Sequence, residues 1–166
     1  MSTEAQVSEF IARYSPSVAA QFRKARAKVK ALFPNGYELV YDNYNALGCG
    51  FSTSARASGV LVSVVAYPRW VSLFFFHGAR LSDPKGLLQG SGARIRNIRL
   101  VPASLLSSKE VRTLLTEAIA QFKDELAHAP AISTIIKAAM VKRRPRRPAK
   151  KVTGRRAAAR TVPRVA

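Results

Sequence analysis

Apolar residues recur at helical spacing near both ends of the chain and at strand spacing in its middle. Val7, Phe10, Ile11 and Tyr14 fall on one face of a first helix, with Thr3 as its cap and Gln6 completing a capping box. Ser15-Pro16 opens a second helix, serine as cap and proline in the first turn. Val18, Phe22, Ala25, Val29, Leu32 and Phe33 form its apolar stripe, and Pro34-Asn35-Gly36 stops it. Beyond Gly36 the period shortens. Residues 38–44, 49–54, 60–67 and 70–76 read as strands, the last two rich in β-branched and aromatic side chains. Only Pro68-Arg69 links that last pair, which makes it an antiparallel hairpin. Asp83-Pro84-Lys85-Gly86 has the residue order of a type I turn. Residues 94–101 form a further strand. In it Ile98 and Leu100 share a parity that Ile95 breaks, which a bulge near Asn97 would reconcile.

Helical spacing then returns. Ser107, with Glu110 three residues on, caps a third helix whose stripe is Val111, Leu114, Leu115, Ala118, Phe122 and Leu126, and Pro130 ends it. Ile132, Ile135, Ile136, Ala139 and Met140 suggest one more short amphipathic helix. The order predicts an α+β fold: an antiparallel sheet of about five strands covered by N- and C-terminal helices. From Lys142 onward prolines interrupt a run of like charges and aromatics vanish, the composition of a tail that is disordered when free. The predicted organisation is a globular domain over residues 1–141 and a basic tail over 142–166.

Charge sharpens this division. The chain carries 28 Lys+Arg against 9 Asp+Glu, a formal net charge of +19. Residues 142–166 hold 11 of the bases and no acid. Such a balance favours polyanionic partners. Lys142, Arg143, Arg144, Arg146, Arg147, Lys150, Lys151, Arg155 and Arg156 are the candidate phosphate contacts. With no aromatic among them, they would bind nucleic acid without reading sequence. Arg23, Lys24, Arg26, Lys28 and Lys30 on the second helix form either a solvated face or an extension of that surface. No stretch is long and apolar enough to span a bilayer, no secretory signal opens the chain, and the single cysteine allows no intrachain disulfide. The expectation is a cytoplasmic, nucleoid-associated protein with nucleic acid, not membrane, as its partner.

Candidate chemistry within the domain is sparse. His77 ends a strand and needs Asp83 or Cys49 nearby to act as a ligand or acid–base group. His128 sits near a helix C-terminus, where its cation complements the dipole. Cys49 lies between Gly48 and Gly50 with no motif joining it to His77. The Gly86–Gly92 loop lacks the lysine and Ser/Thr of a phosphate loop, although the Gly90–Gly92 amides with Arg94 and Arg96 suit a small anion. Tyr41, Asn43, Tyr44, Tyr67 and Trp70 could line a pocket or a stacking surface. No nucleophile, base and orienting group can be assigned together, so no enzyme is predicted.

Several segments resemble the YdhG-like family of small bacterial domains, often labelled frataxin-like iron chaperones. They are Tyr41-Asp42-Asn43-Tyr44, Ala66-Tyr67-Pro68 with the apolar residues at 73–76, the run LSDPKGLLQGSG at 81–92, and Arg96-Asn97-Ile98. The resemblance spans roughly residues 15–127. It implies an α/β sandwich with a curved antiparallel sheet, and iron as the metal such a domain would handle. Frataxin-type proteins hold iron on acidic ridges, whereas the second helix here is basic. No cofactor is therefore expected. Two readings emerge. In the first, a non-enzymatic binding domain is held at nucleic acid by its tail. In the second, an iron- or small-molecule-handling pocket is built from Tyr41, Asp42, Asn43, Tyr67, His77, Asp83, Arg94 and Arg96. That pocket requires its polar groups within about 10 Å of one another, since metal–ligand bonds are about 2 Å.

Overall fold

The computed structural model describes residues 1–149. Expectations that fall on 150–166, including the phosphate contacts of Lys150, Lys151, Arg155 and Arg156 and the disorder of that stretch, lie outside the described residues. The fold is α+β. Two helices come first, α1 (Thr3–Ala12) and α2 (Pro16–Lys30). Four strands come next, β1 (Tyr37–Asp42), β2 (Leu47–Ser52), β3 (Val60–Ala66) and β4 (Val71–Phe75). After a long connection come β5 (Arg96–Arg99), α3 (Lys109–Ala120), α4 (Lys123–Ala127) and β6 (Ser133–Ala139). The sheet order is β5-β4-β3-β2-β1-β6.

The largest departure from the sequence reading is β6. Residues 133–139 form a sixth strand, parallel to β1, where helical spacing suggested a helix. The register explains the disguise. Val40 pairs with Ile136 and Tyr41 with Ala138, so Lys137 is an extra residue in a bulge. One inserted residue breaks the period-2 alternation into a pattern that imitates a helix. Thr134, Ile135 and Ile136 are β-branched, which favours the strand once β1 offers an edge. The sheet is therefore mixed and six-stranded, not antiparallel and five-stranded.

Smaller corrections concern boundaries. Ser2, not Thr3, caps α1, its hydroxyl accepting from Ala5 N at 3.1 Å. Ser108, not Ser107, caps α3 by accepting from Val111 N at 3.2 Å. The third predicted helix is two: Phe122 leaves helical geometry at φ −120° between α3 and α4. No bulge falls at Asn97, since β4 and β5 pair in regular register. Ile95 simply lies outside β5 and is exposed, while Ile98 and Leu100 are buried. Ser15 and Pro16 act as the sequence suggests, with Ser15 Oγ accepting from Val18 N at 3.4 Å.

One sheet face carries the core. Val40, Cys49, Val64, Leu73 and Ile98 form a row across it, and Phe51, Val62 and Phe75 lie in the next. These residues share one buried cluster with Val7, Phe10 and Ile11 of α1, Val18, Phe22, Ala25 and Val29 of α2, and Val111, Leu114, Leu115 and Ala118 of α3. Phe33 stacks on Phe51 with centroids 5.3 Å apart. Each such aromatic contributes about 1.5–3 kcal/mol by leaving water. Residues of the opposite parity, among them Leu39, Val65 and Phe74, take no part in this cluster. The described helices thus pack on one side of the sheet; on the side without helices Leu39, Ser63 and Ser72 are still buried, and Val65 and Phe74 are half-buried.

A buried acid ties α2 to this core. Glu38 is fully buried on the helix-facing side. Its carboxylate accepts from Arg26 Nε at 2.6 Å, Lys30 Nζ at 3.0 Å and Thr134 Oγ1 at 2.6 Å. Burial by itself would raise this carboxyl, but the donors from Arg26, Thr134 and Lys30 outweigh it and hold Glu38 below its ordinary value. Arg26 also donates to Glu4 across to α1.

Candidate functional site

The Asp42 end of the sheet gathers most of the chemistry. Asp42 is the last residue of β1 and faces the helices, so it is buried, with 1% of its surface exposed. Because β6 runs parallel to β1, the chain leaves β6 at this same end. Met140 N donates to Asp42 O at 2.9 Å, and Arg144 N donates to Tyr44 O at 2.8 Å. Residues 142–147 then wrap the end of the sheet. Arg146 Nη2 donates to Asp42 Oδ1 at 2.8 Å, and Nη1 donates to Tyr44 O at 3.3 Å. Arg13 Nη1 donates to Asp42 Oδ2 at 2.9 Å, and Arg143 Nε lies 2.6 Å from the same oxygen, an ion pair without hydrogen-bond alignment. Arg146 Nε is buried with no partner. Beneath, Tyr14 donates to Ala66 O and accepts from Leu47 N. Burial, against the lowering effects of Arg146 and the Leu47 amide, pushes its hydroxyl up to about 12.

This corrects the assignment of the first tail arginines. Arg143 and Arg146 were expected to meet phosphate; instead they neutralise Asp42, and Arg146 is buried. Their signal in the sequence was the lone acid in Tyr41-Asp42-Asn43-Tyr44, which has no basic neighbour along the chain. Lys142, Arg144 and Arg147 are exposed. The guanidinium of Arg144 lies 5.8 Å over the Tyr44 ring.

Further bases arrive at this end through the strand register. Leu47 pairs with Ala66 and Ala66 with Val71, and Leu100 N donates to Val71 O. The tight turn closed by Tyr67 N donating to Trp70 O at 2.9 Å projects Arg69. Tyr67 and Trp70 rings lie 5.2 Å apart. The Arg99 guanidinium lies 3.7 Å over the indole. Arg69 and Arg99 do not stand out in the sequence, since neither belongs to a basic run. Only the pairing of β4 with β5 brings Arg99 beside Trp70.

The sheet face without helices continues from this end. Tyr41, Gly48, Val65, Ser72 and Arg99 form one row, and Leu39, Gly50, Ser63, Phe74 and Asn97 the next. Glycine and serine occupy its centre, where Gly50, Ser63 and Ser72 are buried and the Val60 side chain packs over Gly50. Tyr37, Tyr41, Tyr67, Trp70 and Phe74 are half-buried around it. The Tyr41 hydroxyl is buried without a partner, and burial raises it above its ordinary value.

The remaining predicted pocket residues lie elsewhere. His77 comes just after β4 at the far end of the sheet and is three strands away from β1. At about 4.8 Å per strand this is about 14 Å in the sheet direction alone, beyond the reach required of a shared pocket. His77 stacks on Phe122, with ring centroids 4.8 Å apart, and its Nδ1 is buried without a partner. Burial, then Arg80 and Arg94, lowers its proton affinity. Asp83 borders a groove of about 380 Å³ with Lys85 and Lys109, but its carboxylate is taken by Leu87 N at 2.9 Å and Leu88 N at 2.8 Å. Arg96 donates to Ile95 O at 2.8 Å, and Arg94 is exposed. Asn43 is exposed beside Asp42. Arg26 and Lys30 serve Glu38, whereas Arg23, Lys24 and Lys28 are exposed. Cys49 is fully buried, and burial pushes its thiol well up, the state of an inert packing residue. Among the described residues no three His, Cys, Asp or Glu side chains are grouped to hold a metal ion, and no helix is long and apolar enough to cross a membrane. No family model, curated protein or solved structure matches this chain.

Proposed function

We propose that the protein is a non-enzymatic nucleic-acid-binding module that grips phosphate backbones at the Asp42 end of its sheet. One observation carries this reading. Arg69, Arg99, Lys142, Arg144 and Arg147 are each exposed at the end of the strands from which the basic tail departs. The acid at that end, Asp42, is buried and already neutralised. The domain surface and the tail then act as one polyanion site. The arginines of the first tail cluster divide their work: Arg143 and Arg146 anchor the segment, and Lys142, Arg144, Arg147, Lys150, Lys151, Arg155 and Arg156 meet phosphate. Binding by charge neutralisation releases condensed counterions, so affinity depends steeply on salt and little on sequence. The YdhG-like resemblance fits a small binding domain of this kind. An iron or small-molecule site has no comparable support, because Tyr41 and Asp42 do not share a cavity with His77 and Asp83.

The test is fluorescence anisotropy of labelled duplex DNA across a salt series. The full chain is compared with a chain ending at Ala149 and with the full-length Arg69→Ala/Arg99→Ala/Arg144→Ala variant. Neutralising about six phosphates gives a slope of log K against log salt of about −5. The shortened chain and the triple variant each lose part of that slope. A flat salt response, or no binding at near-physiological salt, overturns the reading.

A further inference from the structure

Resting on the polyanion reading above, we infer that the sheet face without helices takes single-stranded nucleic acid, with a base stacked on the Trp70 indole. Three observations converge. First, the described helices leave this face uncovered, and five aromatic side chains are half-buried on it: Tyr37, Tyr41, Tyr67, Trp70 and Phe74. Partly exposed rings gathered on one face of a highly charged domain suit a binding face. Second, the floor between those rings is closed, with Gly50, Ser63 and Ser72 buried and the Val60 side chain packed over Gly50, so a ligand on this face meets the rings and not the strands. Third, the aromatic face is continuous with the basic end. Trp70 is covered by the exposed guanidinium of Arg99 at 3.7 Å, and Arg69, its neighbour in the chain, is exposed.

The arrangement suits the chemistry of unpaired strands. A base offers a planar π-face to any indole or phenol ring, and its phosphate offers charge to the adjoining arginines. In a duplex the bases are stacked on one another, so a flat aromatic sheet face gains nothing from them. Arg99 occupies the place above the indole that a base would take. Being exposed, it can swing to a phosphate or stack on the outer side of the entering base. Tyr67, 5.2 Å from Trp70 and inclined 31° to it, packs against the indole and steadies it for a single base. Nothing on this face reads base edges in a fixed pattern, so stacking would tolerate all four bases.

Trp70 is the only tryptophan in the chain, which makes it its own reporter. The full-length protein is titrated with three probes of equal length at one salt concentration: a single-stranded oligonucleotide, a duplex, and an abasic single strand that has the phosphates without the bases. The single strand is expected to quench Trp70 emission and the abasic strand to leave it largely unchanged. By anisotropy, Trp70→Ala should weaken single-strand binding about tenfold, the loss of one base–aromatic stack. The same change should leave duplex binding nearly unaltered, and Trp70→Phe should restore most of the single-strand affinity. If all three probes bind alike with no quenching, the stacking inference falls while nucleic-acid binding stands. If none binds, both fall together. Quenching by anionic lipid vesicles but not by the single strand reassigns the face to a membrane surface. Emission that changes with protein concentration alone reassigns it to a second copy of the chain.

Discussion

Glu38 shows how one buried residue can be both a cost and a fastener. Its carboxylate is fully buried, and Arg26, at 11% exposure, is nearly so. Taking such a pair from water is expensive, and the gain comes from having both carboxylate oxygens engaged. Arg26 and Lys30 approach from α2, and Thr134 approaches from β6. Glu38→Ala would strand Arg26 beside a cavity and should cost about 3–5 kcal/mol, read as a lower urea midpoint. The pH dependence has a definite sign. The folded carboxyl is held below its ordinary value, so the folded state binds fewer protons than the unfolded chain. Its contribution is complete above the unfolded value of about 4.3 and is lost as pH falls through the lower folded value. In the isosteric Glu38→Gln variant the stability deficit should therefore shrink on acidification. A deficit independent of pH would mean that packing, not charge, is what Glu38 supplies. Glycine matters at few positions, and Gly36 is the clearest. It has φ +112°, and an added Cβ would fall 2.6 Å from the Ser52 carbonyl oxygen, where backbone cannot yield.

At the scale of elements, β6 is the piece that converts a domain with a tail into a domain with a docked strap. It pairs along β1, sends Thr134 to Glu38, and delivers residues 140–147 to Asp42. Two buried acids on the same strand, Glu38 and Asp42, thus hold the last strand and the segment after it. Asp42→Asn removes the countercharge for Arg13, Arg143 and Arg146 at once. The segment 142–147 should then detach, and trypsin should cut after Lys142, Arg143 and Arg146, the bases there that do not precede proline, several times faster than in the parent protein. Mass spectrometry of the first fragments measures this directly. Unchanged cleavage would show that the hydrogen bonds from Arg146 and Arg144 to the backbone of Asn43 and Tyr44 hold the strap without the ion pairs. Released arginines would also join the exposed set, so Asp42→Asn is expected to tighten polyanion binding even as it loosens the fold.

At the scale of the whole molecule, like charges dominate the surface. The described ion pairs consume Glu4, Glu38 and Asp42, leaving few acids to offset 28 bases. Added salt should screen this repulsion more than it weakens the buried pairs. The thermal midpoint should therefore rise as NaCl increases from a few millimolar to about 0.15 M; a fall would mean that exposed ion pairs, not repulsion, govern stability. Much of this molecule is legible from local pattern. The amphipathic stripe of α2, the Ser15 cap, the β3–β4 hairpin and the excess of positive charge each depend on neighbours within a few residues, and such features survive translation from sequence to fold. Local pattern alone therefore establishes the α+β class and the strong positive charge that any partner must meet. It misleads at β6, because a bulge at Lys137 gives a strand the spacing of a helix. It also leaves Arg143 and Arg146 in a free tail, because their countercharge lies about a hundred residues away. Which arginines are spent on Asp42, which face of the sheet is left without helices, and that Arg99 stands over Trp70 are settled in three dimensions. Those are matters of register and strand order, and they are fixed by contacts between segments remote in sequence.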